Sequence, residues 1–154
     1  MPELTSINPQ ILESLYCDAL ILSDEVRAAF NLSGRIDRVG GMGDLARIAL
    51  SSEGLRTTTR MMHAIAWLLN LRAYFMGELS ELQLRRHGRL SHELQDSDPE
   101  QMALLDPDVR ELIAQTQRFY KRLIRLDMGW RQREARQPVA VDRLRRTFGS
   151  RLER

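Results

Sequence analysis

The sequence predicts an all-α protein: an antiparallel three-helix bundle with a short extra helix and a flexible basic C-terminal tail. Three observations predict it. Apolar residues recur at three- and four-residue steps over three long stretches. Asn8-Pro9, Asp98-Pro99 and Asp106-Pro107 each place a capping side chain before a proline suited to a first helical turn. Aromatic residues are only 6% of the chain, so Leu, Ile, Val, Ala and Met must fill the core, which suits helices better than sheets. With 154 residues the chain is read as one domain over 1–137, followed by a basic segment over 138–154.

The first helix opens at Asn8-Pro9, with Ile7 and Leu12 at the positions of a hydrophobic staple. Leu15, Leu22 and Ala29 form one seam, and Leu12, Ala19 and Val26 the other. The helix is expected to reach about Leu32, where Ser33-Gly34 stops it. Residues 34–43 hold Gly40, Gly41 and Gly43 and read as a loop.

The second helix is expected from Asp44, as cap, to Met76, ending at Gly77. Its length would be about 45 Å at 1.5 Å per residue. Ile48, Leu55, Met62, Leu69 and Met76 stand seven apart, beside Leu45, Ser52, Thr59, Ala66 and Ala73. Both lines are read as the buried stripe, and the small residues of the second would let a partner helix come close. Met61, Leu68 and Phe75 make a third apolar line. Because one helix then carries more apolar surface than one neighbour covers, a homodimer through partly apolar helix faces is expected. Gly54 either weakens the helix or permits a close crossing.

A short helix is expected from Glu78 to Arg86, then a polar, mobile stretch from His87 to Ser97. Asp98-Pro99 opens a turn or two. Asp106-Pro107 opens the third long helix, which runs to about Arg136 before Pro138. Its seams are Val109, Thr116, Leu123 and Trp130, and Leu112, Phe119 and Leu126.

Net charge is +2, but unevenly spread: residues 1–117 carry 11 Arg against 17 acids, and residues 118–154 carry 12 basic side chains against 4 acids. The basic end suits an acidic protein, nucleic acid or anionic lipid, or its own acidic body. Cys17 is the one cysteine, which fits a reducing compartment. The start lacks the basic and apolar regions of a signal peptide, and the run Ala64–Leu69 is too short to cross a membrane, so a cytoplasmic protein is expected.

No Glu-x-x-His, His-x-x-x-His or Cys-x-x-Cys occurs, so no metal or cofactor is expected. His87 and His92 fall in the polar stretch, and no nucleophile pairs with His63. Gly40-Gly41-Met42-Gly43 lacks the Lys and preceding strand of a phosphate loop. No catalytic residue is assigned.

The residues that stand out are polar. Glu53, Arg56, Arg60, His63, Trp67 and Asn70 recur at helical spacing on the second helix. They read either as a solvated face with a Glu53–Arg56 pair or as a partner surface anchored by Arg and Trp. At the basic end, Val141, Leu144, Phe148 and Leu152 keep helical spacing among Arg143, Arg145, Arg146 and Arg151. A segment this short forms a helix only when it docks. Arg143, Arg145, Arg146 and Phe148 are its candidate partner-binding residues.

The run Ser52-Glu-Gly-Leu-Arg-Thr-Thr-Thr-Arg-Met-Met62, then Ala66-Trp-Leu-Leu69, Arg72-Ala73 and Gly77-Glu78, resembles the alphaproteobacterial RcdA family, named for the regulator of CtrA degradation. The resemblance is specific over residues 52–78. It implies a dimeric three-helix bundle with a flexible tail, acting as a non-enzymatic adaptor that helps the ClpXP protease take up cell-cycle regulators. Glu53, Arg56, Thr58, Thr59, Arg60, Trp67, Arg72 and Glu78 match its signature, and no catalytic role comes with them. A protein-interaction adaptor is therefore the first reading. A nucleic-acid-binding regulator using the basic segment is the second, although no helix-turn-helix spacing supports it. An enzyme is the third.

Overall fold

The computed structural model describes residues 7–31 and 43–136, with side chains described as far as 132. Every element among them is helical, and no strand is present there. The elements are α1 (Pro9–Ala29), α2 (Asp44–Phe75), α3 (Glu81–His87), a 3-10 turn (His92–Gln95), α4 (Pro99–Met102) and α5 (Pro107–Arg136). No helix among the described residues is long and apolar enough to cross a membrane.

Local chemistry sets the helix starts. Asn8 Oδ1 accepts the Ile11 amide at 2.9 Å and Pro9 follows as the first helical residue. Ser80 and Gln83 form a reciprocal capping box that starts α3 three residues later than Glu78. Asp98 accepts the Glu100 amide and starts α4. At α2 the cap is Gly43, and Asp44 is the first helical residue, where its charge complements the helix dipole. The same helix stops at Gly77, whose φ of 79° is the left-handed region that glycine adopts at little cost. Residue 29 ends α1, and Ser33-Gly34 lie outside the described residues.

α1, α2 and α5 share one core. From α1 it takes Leu12, Leu15, Ala19 and Val26, with Leu22 and Ala29 packed at its edge; from α5 it takes Val109, Ile113, Tyr120, Leu123 and Ile124. α1 runs antiparallel to α2, because Glu13 pairs with Arg72 at 3.0 Å while Phe30 lies against Gly54. A Cβ on Gly54 would stand 2.8 Å from Phe30 Cδ1, so this glycine permits the close crossing.

α5 departs from the antiparallel arrangement. Thr116 meets Arg60 and Asp127 meets Trp67, so α5 runs in the same direction as α2. The reason is the 76–106 connection. Its contacts descend along α2 and α5 in order: the Arg85 carbonyl at Arg131, Ser91 at Tyr120, Leu94 at Arg60, and Asp98 at Glu53. The chain thus returns to the N-terminal half of α2 before α5 begins. A short link would have forced neighbouring helices to alternate.

The register of α2 is rotated from the one expected. Leu55 is 71% exposed and Met62 64%, and Leu45, Ile48, Leu69 and Met76 are exposed as well. The residues facing the core are instead Ala49, Leu50, Met61, Ala64, Trp67, Leu68 and Leu71, with Glu53, Gly54, Thr57 and Arg60 among them. Met61 and Leu68, expected at a dimer contact, are core residues, while Phe75 is exposed. The heptad lines occupy the side of α2 that faces away from α1 and α5.

Candidate interaction surface

Glu53, Thr57, Arg60, Ala64, Trp67 and Leu71 follow one another at four- and three-residue steps and form the inward ridge of α2. The Arg60 side chain has no exposed surface. Its Nε donates to the Leu94 carbonyl at 2.6 Å and Nη1 to Thr116 Oγ1 at 2.9 Å. Nη2 donates to the Asp96 carbonyl at 3.3 Å and reaches Ser97 Oγ at 3.5 Å. The planar fork suits this task, since one guanidinium holds both the return segment and α5. Burial lowers the Arg60 pKa, and nearby Glu53 opposes that shift. An arginine so placed stays charged at neutral pH.

The neighbouring side chains continue the tie. Glu53 Oε1 accepts the Asp98 amide at 3.2 Å, and Arg56 stands 3.8 Å from the same oxygen. Trp67 Nε1 donates to Asp127 Oδ1 at 3.2 Å, which also accepts from Arg131 Nε at 3.1 Å. Tyr120 donates to the Ser91 carbonyl at 2.6 Å, and burial pushes its phenol up to about 12. The stretch 87–97, expected to be mobile, is therefore fastened along its length, with Leu90 buried beneath it.

These contacts correct the reading of Glu53, Arg60 and Trp67 as an accessible partner surface. All three are buried; Arg60, Trp67 Nε1 and Glu53 Oε1 bond within the fold, while Glu53 Oε2 is buried without a hydrogen-bond partner. Of the remaining candidates on this helix, His63 is exposed and Arg56 and Asn70 are half-buried. Arg143, Arg145, Arg146 and Phe148 lie outside the described residues. Among the described residues no group of three or more His, Cys, Asp and Glu side chains could hold a metal ion. His87, His92 and Cys17 are exposed and scattered over different elements.

Beside exposed polar residues such as Arg47, Thr58 and His63, α2 offers an apolar line to solvent. Leu45, Ile48, Leu55, Met62, Leu69 and Met76 are between 43% and 73% exposed and lie along one outer line. Ser52, Thr59, Ala66 and Ala73 run beside them, each half-buried or exposed. A helix that is apolar on two opposite faces is built to be covered on both. Beside this face a cleft is lined by Leu20, Val26 and Phe30 with Thr58.

The model of a family described as "Protein of unknown function (DUF1465)" matches residues 4–151. The chain belongs to that family. The match takes in both the helical body and most of the basic segment. No curated protein and no solved structure matches the chain. The DUF1465 helices thus carry a polar tie inside and an apolar line outside.

The sequence signal for the polar tie is the signature run itself, whose polar residues also suit a surface. Sequence reasoning missed Tyr120 and Asp127, and the part Thr116 plays: Thr116 and Asp127 meet the ridge, and Tyr120 holds Ser91 of the connection. Thr116 lies on an expected seam, and a threonine or aspartate at a core position is the available hint of an internal acceptor.

Proposed function

We propose that this protein is a non-enzymatic interaction adaptor, a cytoplasmic three-helix bundle that assembles as a homodimer and presents a basic C-terminal tail to protein partners. The observation that carries the reading is the outer face of α2, where six large apolar side chains at heptad spacing face water. Such a face suits contact with protein. The likeness of residues 52–78 to the RcdA family favours regulators handled by the ClpXP protease as the partners. The buried signature fits this reading once it is seen as the scaffold that holds the connection 76–106, with contact made elsewhere. The +8 balance of residues 118–154 (12 basic side chains against 4 acids) would steer acidic partners to that end.

The test compares the full chain with one ending at residue 137, each immobilised and offered a native cytoplasmic extract and purified ClpXP. The full chain retains protein partners, and retention falls as salt rises. The shortened chain keeps its helical spectrum and retains less. Equal retention by both overturns the role of residues 138–154. A nucleic-acid regulator would instead give a salt-dependent shift of duplex DNA and no protein capture.

A further inference from the structure

The outer line of α2 has an internal pattern that says what covers it. Positions 45, 52, 59, 66 and 73 alternate with 48, 55, 62, 69 and 76 at steps of three and four, the a and d positions of a heptad. The d line is large throughout: Ile48, Leu55, Met62, Leu69 and Met76. After Leu45 the a line is small: Ser52, Thr59, Ala66 and Ala73. All ten lie off the core ridge, and none carries a charge.

We infer that two copies of this chain pair through α2 in antiparallel orientation, with the d residues Ile48, Leu55, Met62 and Leu69 each packing beside a small a residue of the second copy. The inference rests on the homodimeric part of the proposed function and adds its face, direction and register. In an antiparallel pair a positions share layers with d positions. One register puts Ile48 with Ala73 of the second copy, Ser52 with Leu69, Leu55 with Ala66 and Thr59 with Met62. Every such layer then holds one large and one small side chain. The end layers pair Leu45 with Met76. The same register places the two-fold axis between Thr59 and Met62, at the middle of a helix spanning Asp44–Phe75, so the two helices overlap along their whole length. The contact is closed and isologous.

A parallel pair fails on volume. Its layers would be alternately two large residues and two small ones, forcing the helices apart at the d layers and leaving voids at Ser52, Thr59, Ala66 and Ala73. Area supports the second copy as occupant. From their exposures, the six large side chains leave roughly 700 Å² open per copy, above the largest patch of a typical monomer and near the ~800 Å² per partner of a standard stable interface.

The test uses the full chain carrying Cys17→Ser, so that cross-links report only introduced thiols. Equimolar Ile48→Cys and Ala73→Cys proteins are mixed and treated with a short bismaleimide. The expected result is a mixed 48–73 cross-link, with mass by light scattering at twice 17.9 kDa. Leu55→Lys with Met62→Lys reduces the mass to the monomer value at unchanged helical content, since both side chains are exposed in a single copy. A dimer in which Ile48→Cys links to itself, or which survives the double lysine variant, overturns the antiparallel pairing and leaves the adaptor reading standing. A 17.9 kDa species at every concentration overturns the pairing and the dimer together, while capture by residues 138–154 tests the adaptor role separately.

Discussion

Replacing Arg60 by Ala removes the side chain that fastens the 76–106 connection to the helices. The guanidinium gives charge-assisted bonds to the Leu94 carbonyl and Thr116 Oγ1, with longer ones to the Asp96 carbonyl and Ser97 Oγ. Hydrogen bonds to a charged group contribute about 1.5–3 kcal/mol each, and they do not add fully. Thr116 still donates to the Ile113 carbonyl after the change, so its hydroxyl is not orphaned. Glu53, with no exposed surface, loses the favourable field of Arg60 and keeps the Asp98 amide at 3.2 Å and the half-buried Arg56 at 3.8 Å. Breaking a buried charged arrangement from one side costs about 3–5 kcal/mol, and we expect Arg60→Ala to fall in that range. A domain of this kind has a total stability of about 5–15 kcal/mol, so the variant should unfold at markedly lower urea. Arg60→Lys keeps the charge but cannot reach several acceptors with one ammonium, and should cost about 1–3 kcal/mol. Urea titrations followed by far-ultraviolet circular dichroism measure both values. Hydrogen exchange locates the effect, with faster exchange expected over residues 90–98. An Arg60→Ala protein within about 1 kcal/mol of the parent, with unchanged exchange there, would refute the claim that this arginine holds the connection.

Three further outcomes follow from the same contacts. Met61→Asp should destabilise the fold by several kcal/mol, because it buries an unpaired carboxylate, whereas Met62→Asp in dilute solution should stay within about 0.5 kcal/mol of the parent; equal effects in thermal melts would show the register of α2 to be wrong. Thr57 Oγ1 is buried without a hydrogen-bond partner, so Thr57→Val should be neutral or stabilising by up to about 1 kcal/mol in urea titration. Tyr120 has its pKa raised to about 12 by burial, so the folded protein holds the phenolic proton more tightly than the unfolded chain does at 10. That stability is complete below pH ~10 and is lost as pH rises towards ~12; Tyr120→Phe should remove this part of the alkaline loss while lowering stability at neutral pH through the missing bond to Ser91.

The caps were legible because they are local. Asn8, Asp98 and the prolines act on amides two or three residues away, whatever the rest of the chain does. The inward face of α1 was legible for a related reason, its seams being the apolar side turned to the core, whereas on α5 Val109, Thr116 and Leu123 are buried as expected but Leu112, Phe119 and Leu126 lie half-buried at the edge, with Ile113, Tyr120 and Ile124 filling the core instead. The direction of α5 was not legible, because it depends on the path of residues 76–106. That path is set by Arg60, Glu53 and Tyr120 reaching backbone groups 29 to 45 residues away. A segment fastened through its carbonyls and amides leaves no side-chain periodicity to read, which is why 87–97 looked mobile.

The register of α2 failed for the most informative reason. The helix has two apolar sides, and the more regular one is the outer one. A strict seven-residue repeat of large and small residues is what pairing with another long helix requires. The inward side is less regular because it meets several elements: α1 at Gly54, the return segment at Glu53 and Arg60, and α5 at Thr116 and Asp127. Serving that many neighbours breaks the heptad and admits charge, since Arg60, Trp67 and Glu53 Oε1 each find a hydrogen-bond partner there, although Glu53 Oε2 and Thr57 Oγ1 do not. Regular heptads on one side and an irregular, partly polar ridge on the other therefore distinguish the two jobs of this helix. The ridge organises the chain around it, and the heptad line has the spacing that pairing with another long helix requires, the role proposed for the α2 of a second copy.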